Sequence, residues 1–229
     1  MLNIVHRLKN VPIFQRLTDD QLKRIESLVT HRCYPRGAII VHEGEIGDSM
    51  EIIIKGSVKV VYFTGEGQEV ILSTLEPGQF FGEMSLLDNE PRSATVMAQE
   101  KTETLHLQRE PFLNMMRNNP DMMMDLIQEL VRRIRLTSRV LERLCTMDVA
   151  HRLMDFLIEL SERHGAAFDE TRVRLTLPTH QTIANQLGTS RESISRTISQ
   201  LRRDGLIEAS EGRDVLIDIE KLREGMDLL

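Results

Sequence analysis

The chain reads Phe81-Gly82-Glu83-Met84-Ser85 and, seven residues after Ser85, Arg92-Ser93-Ala94. A glycine at the end of a strand lets successive backbone amides turn toward one anion, and the start of a short helix adds its positive end. Arg92 supplies a planar, permanently charged group that matches phosphate oxygens. Glu83 beside a phosphate is unfavourable unless it accepts hydrogen bonds from another part of the ligand, and a ribose hydroxyl meets that need. The stretch therefore predicts a pocket for a small nucleotide.

Composition and charge limit the classes of protein. The 229 residues, 41% of them hydrophobic, suit one large or two modest globular domains. A formal net charge of -6 excludes coating of nucleic acid by bulk charge, so DNA binding would need a local basic patch. Cys33 and Cys145 are far apart, and no apolar run approaches the roughly 20 residues of a membrane span. We expect a soluble, cytoplasmic protein with no membrane partner.

The first half alternates short β-branched runs with glycines, after a helical pattern over residues 3–29 that opens at Thr18 and Gln21. This spacing predicts a small antiparallel barrel or roll preceded by short helices. The runs cover residues 38–41, 50–54, 58–62, 70–72 and 94–96, and the glycines are Gly44, Gly47, Gly56, Gly65, Gly67, Gly78 and Gly82.

Residues 121–147 carry an apolar heptad pattern formed by Ile127, Leu130, Ile134, Thr137, Leu141 and Leu144. Spacings of three and four predict a long helix with a coiled-coil seam, hence a dimer helix. The alternative is that the stripe packs on the roll or on the C-terminal domain. Thr137 and Ser138 interrupt the seam, and hydroxyls there need polar partners. A ligand held between roll and helix would supply them.

The last third is typical of a winged helix-turn-helix. Its parts are a helix from 149 to about 163, a strand at 173–177, helices at 179–187 and 191–204 around a turn at Gly188, a stop at Gly205, and wing strands at 206–208 and 215–217 that turn through Glu211-Gly212.

The second helix of this motif has the chemistry to read DNA. Ser190 is a good N-cap, and Ile194, Ile198 and Leu201 form a buried face. The opposite face carries Arg191, Glu192, Ser195, Arg196 and Ser199. Arginine pairs with guanine and glutamate with cytosine, while the alternative is a solvated face with an incidental Glu192–Arg196 pair. Residues 172–213 hold seven arginines against four acids, which concentrates positive charge here.

Taken together, the roll motif Gly37 to Gly44, the Phe81-Gly82-Glu83 and Arg92-Ser93 motifs, and the Ser190-Arg191-Glu192 run with Arg196 resemble the Crp/Fnr family of bacterial transcription regulators, most closely its cyclic-AMP-responsive branch. The resemblance covers nearly the whole chain. It implies an α+β protein with a cyclic-nucleotide-binding β-roll at 1–116, a dimerisation helix at 117–147 and a winged helix-turn-helix at 148–229.

The resemblance also implies a role for each matched residue. Glu83 would bind the ribose 2′-hydroxyl, Arg92 and Ser93 the cyclic phosphate, and Arg133 would approach that phosphate from the long helix. The other ligand residues would be Gly82, Met84 and Ser85 through their backbone, Ser73 along the base, and Thr137 and Ser138 at the adenine from the two subunits.

On DNA, the resemblance implies that Arg191, Glu192 and Arg196 read a half-site similar to TGTGA, with Gln181 and Ser190 on phosphates. Ser195 also lies on this face, where the cyclic-AMP branch usually has glycine, and the Glu192 to Arg196 run is closer to the Fnr branch. The C-terminal extension at 220–229 is closer to that branch as well. The half-site preference therefore stays open.

Other chemistries lack support in the sequence. There is no N-terminal cysteine cluster for an iron–sulfur centre, and His42 and Cys33 lack the spacing of a haem site. His31, Cys33 and His42 do not have metal-ligand spacing either, so we expect no metal. The methionines near the start of the long helix are interpreted as adaptable packing. No catalytic constellation is present, so an enzyme is not expected.

These observations predict a homodimer that binds cyclic AMP or a related cyclic nucleotide and, when it does, a palindromic site on double-stranded DNA. RNA polymerase is a further candidate partner. Two alternatives stay open: a Crp/Fnr-type regulator with another effector or none, and a cyclic-nucleotide-binding regulatory subunit of a partner enzyme.

Overall fold

The computed structural model describes residues 4–228 except positions 66, 68, 170 and 211. The chain divides into two compact units, Met1–Leu136 and Thr137–Leu229, and each is described by itself. Glu211, assigned above to the wing turn, and Leu229, at the end of the C-terminal extension, lie outside the described residues.

Short helices surround the roll in the first unit. They are α1 (Ile4–Lys9), a 3₁₀ turn (Pro12–Phe14), α2 (Asp19–Glu26), α3 (Glu83–Asp88), α4 (Arg109–Asn118) and the first part of α5 (Pro120–Thr146). The predicted opening of α2 is confirmed: the Thr18 hydroxyl accepts from the Gln21 amide, and the Gln21 side chain accepts from the Thr18 amide.

The roll consists of two antiparallel four-stranded sheets, with strand orders β1-β8-β3-β6 and β2-β7-β4-β5. The strands are β1 (Val29–Tyr34), β2 (Ile39–Val41), β3 (Ser49–Lys55), β4 (Val58–Phe63), β5 (Glu69–Leu75), β6 (Phe80–Phe81), β7 (Thr95–Ala98) and β8 (Thr102–Gln108). β3 is buried on both faces: Met50 and Ile52 belong to a core shared with the helices, and Ile53 packs with Phe81 and Val96 inside the roll.

The five predicted strands are present, and β6 is the short strand expected before Gly82, whereas β1 and β8 are additional. The helical pattern was extended too far, because Val29 begins β1 and α2 ends at Glu26. Four consecutive residues of β1, from Thr30 to Cys33, are exposed, so the strand lacks the alternation that identifies a half-buried strand. β8 was missed because its inward side chains include Thr104 and His106 instead of apolar residues.

α5 begins within a residue of the predicted start and spans 27 residues. Its first turns bury Met122 and Leu126 in the core of the first unit. Of the predicted heptad positions, Leu130 is half-buried and packs against this core, whereas Ile134 is 65% and Leu141 is 61% exposed, and Ile127 and Leu144 are also exposed. Most of the stripe is therefore an exposed apolar face, which the described residues do not cover.

The second unit has the winged helix-turn-helix arrangement that was predicted. Beyond the end of α5 it contains α6 (Val149–His164), β9 (Ala166–Ala167), β10 (Arg172–Thr176), α7 (His180–Leu187), α8 (Arg191–Arg203), β11 (Ile207–Ala209), β12 (Asp214–Asp218) and α9 (Ile219–Leu228). Its sheet has the order β11-β12-β10-β9. Gly188 has φ of 61°, which explains the glycine between α7 and α8. Among the described helices, none has an apolar stretch long enough to cross a bilayer.

Candidate functional site

The Phe81-to-Ala94 stretch folds around the side chain of Arg92. β6 ends at Phe81, Gly82 turns with φ of 85°, and α3 begins at Glu83. Arg92 reaches back into this turn: Nη1 donates to the Gly82 carbonyl at 2.6 Å and Nη2 to the Ser49 carbonyl at 2.6 Å. Only 9% of the residue is exposed. A permanently charged group is thus held at the start of α3, where a phosphate would also meet the free amides of the helix.

Glycines make this placement possible. A Cβ atom on Gly47 would lie 2.5 Å from Arg92 Cζ, and one on Gly82 would lie 2.5 Å from Arg92 Nη1. Gly47 has no positive φ, so a glycine is needed here because the Arg92 side chain packs against its backbone, and not because of its backbone conformation. Sequence reasoning placed Gly47 only among the turn glycines.

A substitution at Gly47 tests this packing. Gly47→Ala is expected to push the guanidinium of Arg92 away from the turn and to weaken anion binding by about tenfold, because a bidentate contact tolerates little displacement. The free energy of unfolding should also fall, by up to about 1–3 kcal/mol, because a displaced guanidinium no longer donates to the Gly82 and Ser49 carbonyls. Calorimetric titration with the ligand measures the effect, and Gly65→Ala, with nothing within 4 Å of its Cβ, is the matched control. Equal affinities for both variants would contradict the assignment.

Glu83 is a buried carboxylate with one oxygen left over. The residue is 2% exposed, and Oε1 accepts from Arg133 Nη1 at 3.0 Å. Oε2 is buried and has no hydrogen-bond partner within the part of the chain that the structure describes. Burial raises the pKa of this carboxyl above its usual value, although Arg133 opposes the change. A hydroxyl donor from a ligand would satisfy Oε2, which is what a ribose offers.

Arg133 connects this carboxylate to α5. Besides Glu83, its guanidinium donates to the Phe80 carbonyl at 2.8 Å and to Glu129 Oε1 at 3.0 Å, and it lies 4.6 Å from the centre of the Phe80 ring. These contacts place Arg133 on the Glu83 side of the predicted pocket. Its approach to a phosphate remains a prediction.

The other predicted ligand residues are distributed as follows. Ser85 is buried in α3, while Met84 is 49% exposed and its sulfur lies 3.9 Å from the Ser93 hydroxyl. Ser73 is exposed on β5, opposite Val60 of β4. Thr137 and Ser138 are exposed on α5, at the start of the second unit.

The predicted DNA-reading face lies on α8. The Ser190 hydroxyl caps the helix by accepting from the Ser193 amide at 3.1 Å, and Ile194, Ile198 and Leu201 are buried as expected. Arg191 and Glu192 are exposed, and neither forms an ion pair within the described ranges. In particular, the incidental pair between Glu192 and Arg196 is not formed there. The side chains that carry base-reading chemistry are therefore available to a partner.

Arg196, Ser195 and Ser199 complete this face. Arg196 Nη2 lies 3.4 Å from the Ser193 hydroxyl, and the Ser199 hydroxyl donates to the Ser195 carbonyl at 2.8 Å. All three side chains are exposed.

A basic concavity of about 480 Å³ adjoins the N-terminus of α7. Its charged lining, among the described residues, is basic or histidine, and the sequence analysis assigned only Gln181 and Arg191 of this lining to DNA binding. The polar and charged lining residues that it did not assign to DNA are Thr179, His180, Arg202 and Arg213. The local excess of arginine in residues 172–213 was the available signal. It includes Arg202 and Arg213, but it does not show that they lie beside the N-terminus of α7.

Comparison with known protein families identifies two domains, one in the N-terminal half of the chain and one in the C-terminal part. A model of the cyclic nucleotide-binding domain matches residues 31–119, and a model of the Crp-like helix-turn-helix domain matches residues 151–224. Among curated proteins, the cyclic AMP receptor protein of Thermus thermophilus is 32% identical over 205 residues, which cover 90% of this chain and 92% of that protein.

Solved structures agree on the fold. A transcriptional regulator of the CRP/FNR family from Thermus thermophilus is 28% identical and superposes with a TM-score of 0.69 over 86% of this chain and 98% of that one. The c-di-GMP-responsive global regulator of Xanthomonas campestris has a TM-score of 0.76 at 24% identity, over 87% of this chain and 99% of its own. At that identity it supports the fold alone.

These relatives are regulators of transcription and not enzymes, and the predicted fold class is confirmed. With a cyclic nucleotide-binding domain followed by a Crp-like helix-turn-helix, and with a receptor of this family matching over nine-tenths of its length, the chain belongs to the Crp/Fnr family of transcription regulators.

Proposed function

We propose that this regulator is a homodimer that binds a cyclic nucleotide, with cyclic AMP as its effector, and thereby becomes competent to bind a palindromic DNA site. The observation that carries the proposal is the pairing of two unlike groups in one turn. Arg92 offers charge at the start of α3, and Glu83 offers a buried oxygen to which no described residue donates. A ligand with an anionic phosphate next to a free ribose hydroxyl complements both groups.

The proposed domains are the roll at 1–116, the dimerisation helix at 117–147 and the DNA-binding domain at 148–229. The exposed stripe of Ile127, Ile134, Leu141 and Leu144 supports pairing of α5 with a second copy, because apolar heptad positions are stabilised by burial against a partner helix. Thr137 and Ser138 would then lie along the paired helices, where they would meet the base.

The contacts of α5 suggest how ligand binding would control DNA binding. Near the middle of α5, Arg133 contacts Glu83 at 3.0 Å, and near its C-terminal end Arg143 contacts Asp155 at 2.9 Å and Glu159 at 2.6 Å on α6. A ligand that prefers one arrangement of the paired helices would favour dimers whose recognition helices stand about 34 Å apart, one turn of DNA. The shift is limited to the difference in ligand affinity between the two arrangements.

One experiment tests the function. DNA bound by the protein is selected from a random pool without nucleotide and with cyclic AMP, cyclic GMP or c-di-GMP. We expect enrichment of a two-fold symmetric site only with cyclic AMP. Symmetric sites recovered equally in all conditions would indicate an effector-independent regulator, and recovery with c-di-GMP alone would change the effector. Recovery of no DNA despite nucleotide binding would favour the regulatory-subunit alternative.

The exposed polar face of α8 argues against that last alternative, because a helix for protein contact needs aromatic or aliphatic anchors. In the proposed role the protein acts in the cytoplasm on double-stranded DNA, and RNA polymerase is a proposed further partner.

Glu83→Gln should separate stability from binding. Because burial raises the pKa of Glu83, the folded protein loses stability as pH rises from the usual value of 4.5 through the raised one. Glutamine removes this loss, so thermal unfolding at pH 7 should shift upward by about 1–3 °C. Affinity for cyclic AMP should fall by about tenfold or more, because a charged acceptor is replaced by a neutral one. The parent is expected to be less stable at pH 7 than at pH 5 because of Glu83. The same loss of stability between pH 5 and pH 7 in Glu83→Gln would contradict the prediction.

A further inference from the structure

A second polar cluster lies inside the roll, and the proposed pocket does not use it. Glu51 on β3 is 4% exposed, and both of its carboxylate oxygens have partners on β8. The Thr104 hydroxyl donates to Oε2 at 2.6 Å, and His106 Nδ1 lies 2.7 Å from Oε1. His106 is 9% exposed. The imidazole of His106 is thus held against a buried carboxylate, so a proton gained or lost by the ring changes the net charge inside the roll.

The strand register places Glu51 next to the strand that leads into the Arg92 turn. Glu51 pairs with His106 on one side and with Phe81, the residue before Gly82, on the other. Ser49, whose carbonyl accepts from Arg92, lies two residues away on the same face of β3, about 7 Å along the strand. Burial lowers the pKa of Arg92, and the Glu51 carboxylate is among the charges that oppose this change. Glu51 thus acts electrostatically on Arg92.

The other charged groups around the cluster can be named from each element packed against it. On β1, Arg32 Nη1 lies 3.5 Å from Glu51 Oε1. Burial, followed by the Glu51 carboxylate, raises the pKa of Tyr34. On the Arg92 side, Asp48, Glu45 and Glu83 also act on the guanidinium. Glu51 is therefore the acid that contacts His106, at 2.7 Å, and the same carboxylate acts electrostatically on Arg92.

We propose that His106 and Glu51 tune the proposed nucleotide site to pH, so that binding of the anionic ligand is coupled to uptake of a proton by His106. The inference rests on the proposed function. Protonation of His106 adds a positive charge and offsets the negative field of Glu51 at Arg92. Anion binding is then stronger at low pH, and by reciprocity the bound anion favours the protonated histidine.

The size of the effect follows from Coulomb's law. A unit charge roughly 10 Å from the phosphate, at an effective dielectric constant of about 20–40, changes affinity by about fourfold to fifteenfold. Binding should therefore weaken as the pH rises from mildly acidic to neutral, as the proton is lost. Protonation of Glu83 would act in the opposite direction at the acidic end, since it removes an acceptor for the ligand.

Isothermal titration of cyclic AMP at pH 5.5, 6.5 and 7.5, in buffers of different ionisation enthalpy, tests the proposal. We expect the parent to bind more tightly by about fourfold or more at the acidic end and to take up part of a proton. His106→Gln should bind with little pH dependence and without that uptake. His31→Gln is the matched control, because His31 on β1 is exposed and, like His106, lies beside a carboxylate, with Nε2 3.1 Å from Glu103 Oε2. Equal pH slopes in His106→Gln and the parent would overturn the proposal.

A measurement on the unaltered protein covers the case in which the variant does not fold. The proton resonances of His106 are followed by NMR against pH, with and without saturating cyclic AMP. The midpoint of its titration should move to higher pH when the nucleotide is bound, and an unmoved midpoint refutes the coupling. A parent that binds no cyclic AMP at any pH would instead refute the proposed effector, and the coupling with it.

Discussion

Arg92→Leu is expected to lower the affinity for cyclic AMP by about 100-fold or more, because the variant loses both of the charge-assisted contacts that we propose between the guanidinium and the phosphate. The geometry supports a loss of this size. The guanidinium is nearly buried, and the Gly82 and Ser49 carbonyls hold it in one orientation before any ligand arrives. A preorganised cation of this kind contributes more than a mobile surface arginine would.

The variant will also leave the Gly82 and Ser49 carbonyls without their donor, at a cost of about 1–3 kcal/mol in the free energy of unfolding. Affinity and folding must therefore be measured separately, by calorimetric titration and by thermal unfolding. Arg92→Lys keeps the charge but not the planar fork, so its affinity should be intermediate. Arg36→Leu removes an exposed charge from the same roll and serves as the control. Unchanged affinity in a folded Arg92→Leu protein would refute the pocket.

The DNA readout gives the same prediction at the level of function. If Arg92 acts only through the nucleotide, the variant should bind its DNA site as the nucleotide-free parent does, and cyclic AMP should no longer change that binding. A variant that still responds to cyclic AMP would mean that the effector binds elsewhere.

The strand, the glycine turn and the helix start around Arg92 could be predicted from the sequence, because few local structures suit this order of residue types. A glycine after a strand, an acid at the first helical position and an arginine nearby together predict the turn, and they favour an anionic ligand with a second polar group as its occupant. The partners of Arg92 could not be predicted, since Ser49 and Gly47 lie more than 40 positions away in sequence and contribute a backbone carbonyl and an absent Cβ. Neither contribution has a side-chain signature.

The DNA-binding unit was predicted closely because its signals are local. Ser190 and Thr179 cap their helices and Gly188 has the left-handed conformation, so each boundary is specified within a few residues. The roll was predicted less completely. β8 places Thr104 and His106 inside the roll, where their partner is Glu51 on another strand, and a pattern of apolar residues does not reveal such a strand.

Arg191→Ala is expected to reduce discrimination at one base pair of the half-site, with a loss of about 1–3 kcal/mol on the preferred sequence. Arg191 is exposed at the first position of α8 and forms no ion pair in the described part of the chain, so no internal contact has to break before it meets a base. Gln181→Ala, at a proposed phosphate contact, should instead weaken binding to all sequences alike.

The two results are distinguished by measuring binding to a site series that varies one position at a time, at constant salt, with saturating cyclic AMP. Arg223→Ala controls for the loss of charge, because Arg223 lies on α9 and contacts Glu162 at 2.8 Å. A base-reading arginine changes the ranking of the sequences, whereas a phosphate-binding one changes all affinities by the same factor and lowers the salt dependence by about one counterion. Uniform weakening by Arg191→Ala would therefore move Arg191 from the base edges to the DNA backbone and leave base reading to Glu192 and Arg196.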